Sequence, residues 1–127
     1  MNADEAGPND LSERIIGCAM IVSNALGSGF LEKVYENALA HELRKACLTV
    51  AQQHGIVVRY DGIIVGEFAV DFLVEESVIV ELKATRVVAK IHRAQCISYL
   101  RSTGLHLCLV LNFGNPRMTI QRIVLGL

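Results

Sequence analysis

The segment Asp71-Phe72-Leu73-Val74-Glu75-Glu76-Ser77-Val78-Ile79-Val80-Glu81-Leu82-Lys83 decides the fold. The residues flanking Glu75-Glu76-Ser77 are mostly β-branched, aromatic or otherwise apolar, as in strands buried within a sheet. The polar triplet between them reads as a tight turn. In Val78–Lys83 the strand period of two places Ile79, Glu81 and Lys83 on one face and Val78, Val80 and Leu82 on the other. Asp71 sits between Val70 and Phe72, a carboxylate inside an apolar run. Counted inward from the turn, Asp71 and Glu81 fall on neighbouring strands and nearly level. Two carboxylates in an apolar sheet are costly unless a partner compensates them. Two partners are open at this point. One is Lys83, in a buried Asp71–Lys83 or Glu81–Lys83 salt bridge that holds strand register. The other is a hard divalent cation, which takes oxygen ligands including one or two carboxylates.

Working outward, Ile63–Val74 reads as the first strand of this hairpin, and Gly66 within it suggests a bulge or a close approach. Asp61-Gly62 is a two-residue hairpin signal, so Thr49–Tyr60 pairs back, with an interruption expected near His54-Gly55. Beyond Lys83, a helix spans about Lys90 to Ser102 and is closed by Gly104. His106–Asn112 and Thr119–Val124 are the last strands, joined by a Gly-Asn-Pro turn. Upstream, Asp10 with Glu13 three residues on forms a helix-start signal. Ile15, Ile16, Ala19, Met20 and Val22 follow at helical spacing, and Gly27-Ser28-Gly29 ends that helix. A second helix runs from about Phe30 to Lys45, with Leu31, Val34, Tyr35, Ala38, Leu39 and Leu43 as its apolar stripe. Glu32 and Glu36 lie together beside that stripe. The order ααβββαββ predicts an α/β fold, a mixed sheet flanked by helices. Residues 1–10 read as a flexible tail and 11–127 as one domain.

Composition narrows the class. The 127 residues are 52% hydrophobic and 20% charged, which excludes disordered and low-complexity classes. No apolar run approaches the roughly 20 residues that span a bilayer. The start, MNADEAGPND, is acidic and polar and lacks a signal-peptide pattern, so a cytoplasmic protein is expected. Four scattered cysteines without a CxxC pair suit reduced, buried thiols. Charge is divided along the chain. All 13 acidic residues lie at or before Glu81, against five basic ones, a balance of −8; residues 82–127 hold seven basic residues and no acid. Such asymmetry suggests acid and base facing one another, or an anionic partner on one side.

The pattern Asp71-(nine residues)-Glu81-Leu82-Lys83 resembles the catalytic signature of the PD-(D/E)XK nuclease superfamily, with Val70 where that signature has proline. Gln95-Cys96-Ile97-Ser98-Tyr99 is similar to the QxxxY motif of its RecB-like members. Gly29-Phe30-Leu31-Glu32-Lys33-Val34-Tyr35 resembles the heptad that names the GxxExxY family, small proteins assigned to the same superfamily. Similarity continues through Val65-Gly66-Glu67, Asn112-Phe113-Gly114 and Arg122-Ile123-Val124, covering nearly the whole chain from about residue 11.

The resemblance implies a restriction-endonuclease-like fold and a metal-dependent phosphodiesterase site, most simply one acting on DNA. Asp71 and Glu81 would coordinate Mg²⁺ or Mn²⁺, with the Leu82 carbonyl as a further ligand. Glu32, or Glu36 one turn on, would extend the metal shell through water. Lys83 would orient or deprotonate the attacking water or stabilise the transition state. Gln95 would hold the site or the substrate backbone, with Tyr99 one turn later. Arg86, Lys90, Arg93 and Tyr99 are the candidate nucleic-acid contacts. Tyr35 and Tyr99 equally suit core packing. No organic cofactor is expected, and a homodimer through an apolar final edge, Ile120–Leu127, is a further expectation. Two alternatives stand beside the nuclease: a nucleic-acid-binding or assembly subunit that keeps the fold without cleaving, and a structural oligomer whose acid–base cluster is a buried ion network.

Overall fold

The computed structural model describes residues 8–126. The elements run α1 (Pro8–Leu26), α2 (Glu32–Lys45), β1 (Val50–Tyr60), β2 (Ile63–Val74), β3 (Val78–Lys83), α3 (Lys90–Thr103), β4 (Leu107–Asn112) and β5 (Thr119–Val124). The strands form one sheet in the order β1-β2-β3-β4-β5. β3 and β4 pair in parallel, and every other neighbouring pair is antiparallel. A parallel pair needs a crossover, and α3 supplies it. The mixed α/β sheet with flanking helices is the architecture expected.

Two apolar layers sandwich the sheet. On one face Val78, Val80, Leu82, Leu107, Leu109 and Leu111 pack with Ile15 and Ala19 of α1 and Leu39 and Leu43 of α2. On the other, Val70, Ile79, Cys108 and Val110 pack with Cys96 and Leu100 of α3. β3 and β4 are therefore covered on both sides, which is why they read as near-continuous apolar runs. The four cysteines are free thiols, and Cys18, Cys96 and Cys108 are buried.

Turn chemistry sets the hairpins. Asp61 and Gly62 both have positive φ, 55° and 78°, as a tight primed turn requires. The register shifts between Val58 and Arg59, opposite Gly66, so the bulge expected there forms. The interruption expected at His54-Gly55 falls instead on Gln53, whose φ is 51°. Helix α1 begins at Pro8, so Asp10 lies within its first turn rather than capping it. Proline suits a first helical turn because its missing N–H would have no partner there. The expected tail is thus shortened at 8–10, and its first seven residues lie outside the described ones. Between α1 and α2, the Tyr35 hydroxyl donates to the Gly27 carbonyl (2.6 Å) and accepts from the Phe30 N–H (3.2 Å). Its ring stacks on Phe113 at 4.7 Å. The tyrosine of the heptad is a core residue that ties this loop and so places the first turn of α2.

Candidate active site

The site lies where β2 and β3 part. Their register runs only from Val74–Val78 to Phe72–Val80, and the next pair would be Asp71–Glu81. There the side chains replace the ladder. The Asp71 N–H donates to Glu81 Oε1 (2.9 Å), and the Leu82 N–H donates to Asp71 Oδ2 (2.7 Å). Each carboxylate is bonded to the backbone of the other's strand. Alternation also breaks at this point, since Val70 packs with the α3 layer and Phe72 with the α1–α2 layer. In an unbroken strand both would share a face.

Glu81 is 9% exposed. Burial, and then the charge of Asp71, push its carboxyl up to about 7; the Asp71 N–H and Lys83 pull the other way. Its second oxygen accepts no hydrogen bond among the described residues. Lys83 is half-buried at the end of the strand. The ion pairs among the described residues are Lys33–Glu36 (3.1 Å) and Lys45–Glu42 (3.3 Å), so neither salt bridge considered for Lys83 forms. Its charge instead reaches Glu32, Glu81 and His92 through space.

The two glutamates of α2 have different surroundings. Glu32, in the first turn, is an exposed residue whose carboxyl is partly shielded. That shielding raises its pKa; Lys83 opposes the rise, and Asp71 and Glu36 add to it. Glu36 is buried, 5% exposed. Its Oε2 accepts from Lys33 Nζ (3.1 Å) and Gln52 Nε2 (2.8 Å), and its Oε1 accepts from Gln53 Nε2 (2.8 Å). Gln53 Nε2 also donates to Asp71 Oδ1 (3.2 Å). Glu32 therefore lies within electrostatic reach of Asp71 and Lys83 with no side-chain hydrogen bond among the described residues, while Glu36 is engaged at both oxygens as a support.

Across the site stands the start of α3. The Ala89 N–H donates to His92 Nδ1 (3.2 Å), and the His92 N–H donates to the Ala89 carbonyl (3.0 Å). Desolvation, then Lys83, lower the His92 pKa. The loop from Lys83 to α3 is clamped by buried Asn112. Its Oδ1 accepts from the N–H groups of Thr85 (3.1 Å) and Gly114 (2.9 Å), and its Nδ2 donates to the Thr85 carbonyl (2.8 Å). A Cβ at Gly114 would fall on the Thr85 backbone, so only glycine fits.

Arg86, Lys90 and Arg93 are exposed along this loop and the first turn of α3. Gln95 is exposed and makes no side-chain hydrogen bond among the described residues, so the structure does not join it to the carboxylates. Tyr99 is half-buried with its ring 4.6 Å from Phe68, and burial pushes its hydroxyl up to about 12. Its ring face is spent on packing. The residues that sequence reading missed are Gln53 and Asn112. Asn112 stood within a quoted stretch of similarity, but Gln53 carried no signal.

No three His, Cys, Asp or Glu side chains gather into a group that could hold a metal ion among the described residues. The donor set nonetheless fits a hard divalent ion. Asp71 and Glu81 offer oxygen only, Glu81 keeps one oxygen open, and such an ion needs few carboxylates when water and phosphate complete its shell.

The crystal structure of SSO0001 superposes with a TM-score of 0.56 at 14% identity, over 75% of this chain and 50% of that one, a likeness of fold. The chain thus spans about half the length of that solved structure. No curated protein matches the sequence. No helix among the described residues is long and apolar enough to cross a membrane. A sequence profile described as the PD-(D/E)XK nuclease superfamily matches residues 9–123, and the chain belongs to that superfamily.

Proposed function

We propose that this protein is a divalent-metal-dependent nuclease that hydrolyses phosphodiester bonds of DNA. One observation carries the reading: Asp71 and Glu81 interlock where two strands part, and Lys83, within electrostatic reach of Glu81, makes no ion pair among the described residues. Asp71 and Glu81 would hold Mg²⁺ or Mn²⁺, with the Leu82 carbonyl as a further oxygen ligand and Glu32 extending the metal shell through water. Such an ion, when bound, would supply polarisation of the scissile phosphate and a lowered pKa for the attacking water. Lys83 would orient or deprotonate the attacking water, or steady the negative charge that builds on the phosphoryl oxygens. Arg86, Lys90 and Arg93 follow the nucleic-acid backbone, which needs only positioned cations. Gln95 contacts the substrate from the exposed face of α3, while Tyr99 serves through its packing.

The same reading places the chain in the GxxExxY family on Gly29, Glu32 and Tyr35. It treats 11–127 as one cytoplasmic domain, without an organic cofactor, that works as a homodimer. A second reading, a binding or assembly module that has kept the fold without cleaving, is favoured by the small size of the domain and its modest set of exposed cations, Arg86, Lys90 and Arg93.

Titration calorimetry with Mg²⁺ and Mn²⁺, on wild type beside Asp71→Ala, comes first. Binding lost in the variant supports the site, and nicking or degradation of plasmid, single-stranded DNA or RNA then names the substrate. Metal binding with no cleavage of any of them favours the second reading.

A further inference from the structure

Gln52 and Gln53 are consecutive residues of β1, yet both reach the same carboxylate of Glu36. In a regular strand successive side chains point to opposite faces. They can converge because Gln53 adopts φ 51°, a left-handed conformation that a non-glycine residue rarely takes. An outlier of this kind persists only where its surroundings hold it, and such outliers gather at functional sites.

The surroundings here are specific. A glutamine amide nitrogen carries two N–H groups. One of Gln53 goes to Glu36 Oε1 and the other to Asp71 Oδ1. Carboxylates only accept, so the two neighbours fix which way the amide faces. The result is a relay from Lys33 through Glu36 and Gln53 to Asp71, and from Asp71 Oδ2 to the Leu82 N–H. Each oxygen of Asp71 is thereby held by one donor, from opposite sides, and each keeps lone-pair capacity for a ligand.

We infer that Gln53 is a positioning residue, whose amide bridges buried Glu36 to Asp71 and sets the orientation in which Asp71 receives its metal ion. The metal half of this inference rests on the proposed function; the bridging half does not. Groups that hold a ligand in this way typically change metal affinity by 10–100-fold when removed.

Two variants separate the side chain from the backbone. Gln53→Gly relieves the left-handed strain and removes the bridge; Gln53→Met keeps the length and strain but loses the amide. Amide exchange of Leu82 is read without metal, with the Phe113 N–H, which donates to the Lys83 carbonyl, as a nearby control. Mg²⁺ and Mn²⁺ dissociation constants are then read by calorimetry. Leu82 exchange about tenfold faster in both variants, Phe113 unchanged, and metal binding about tenfold weaker is the expected result. Wild-type Leu82 exchange in both variants overturns the bridge. Faster Leu82 exchange with unaltered metal affinity overturns the positioning role and leaves Gln53 a structural tie. If wild type takes up neither ion while Leu82 responds, the bridge stands and the metal reading of Asp71 falls.

Discussion

Glu81 carries its carboxyl where water scarcely reaches, beside another carboxyl, and this makes stability depend on pH in a defined direction. Its pKa is pushed up to about 7 in the folded chain, above the ordinary glutamate value of 4.5. The folded state therefore binds this proton more tightly than the unfolded one. Its contribution is most favourable below about pH 4.5, is lost as pH rises toward 7, and is absent above. The difference amounts to about 3 kcal/mol across that window. Glu81→Gln removes the titration and keeps an oxygen to accept from the Asp71 N–H. Urea unfolding without metal should show the variant more stable than wild type at pH 8, by about 1–3 kcal/mol, with the gap closing toward pH 5. Equal stability at both values would mean that the carboxyl is better solvated than its burial indicates. The same proton competes with metal, so wild-type affinity for Mg²⁺ should rise between pH 6 and 8, and Glu81→Gln should abolish metal-dependent cleavage.

β3, with the loop after it, is held from the far side by β4. Asn112 makes three hydrogen bonds to the Thr85 and Gly114 backbone, and Gly114 lies against Thr85 so closely that no Cβ fits. Asn112→Ala leaves half-buried backbone groups of Thr85 and Gly114 without their partner and should cost about 1–3 kcal/mol, read by denaturant unfolding. Gly114→Ala forces the Thr85 segment to move and should lower affinity for nucleic acid, since Arg86 and the start of α3 follow Thr85. Normal stability and binding in both variants would mean the loop is not set by this clamp. Here the limits of sequence reading are plain. The strands announced themselves because apolar runs and primed turns are local, and the level placement of Asp71 with Glu81 followed from counting back from one turn. Gln53 could not be found that way. A left-handed residue inside a strand leaves no mark on composition, and its partners Glu36 and Asp71 lie 17 and 18 positions away. The salt bridges weighed for Lys83 failed for a related reason. The backbone N–H groups of Asp71 and Leu82 satisfy the carboxylates, and strand period alone cannot reveal a ladder that stops.

At the scale of the molecule, the split of charge along the chain becomes an apposition in space. The acidic half brings Glu32 and Asp71 close together, and the basic half brings Lys83 within electrostatic reach of Glu32. β5 is one edge of the sheet, with Ile120 37% and Val124 48% exposed. An edge of this kind is a template for pairing. If it joins two copies, sedimentation should report a dimer that Ile120→Lys converts to monomer without loss of helix content; a wild-type monomer at tens of micromolar would remove the edge from consideration. The basic side gives the sharper test. Arg86, Lys90 and Arg93 are exposed together after β3. Cations that meet phosphates release counterions, and each contact steepens the fall of log affinity with log salt by about 0.9 for duplex DNA. Replacing the three by alanine should therefore flatten that slope by about 2–3 and weaken binding alike for every duplex sequence, because phosphate contacts carry no sequence information. Metal affinity should stay at the wild-type value, since none of the three touches Asp71 or Glu81 among the described contacts. A slope unchanged by the triple substitution would place the nucleic acid elsewhere on the surface. A loss confined to particular sequences would instead make these side chains readers of base edges, whose contribution falls at single positions and leaves the others untouched.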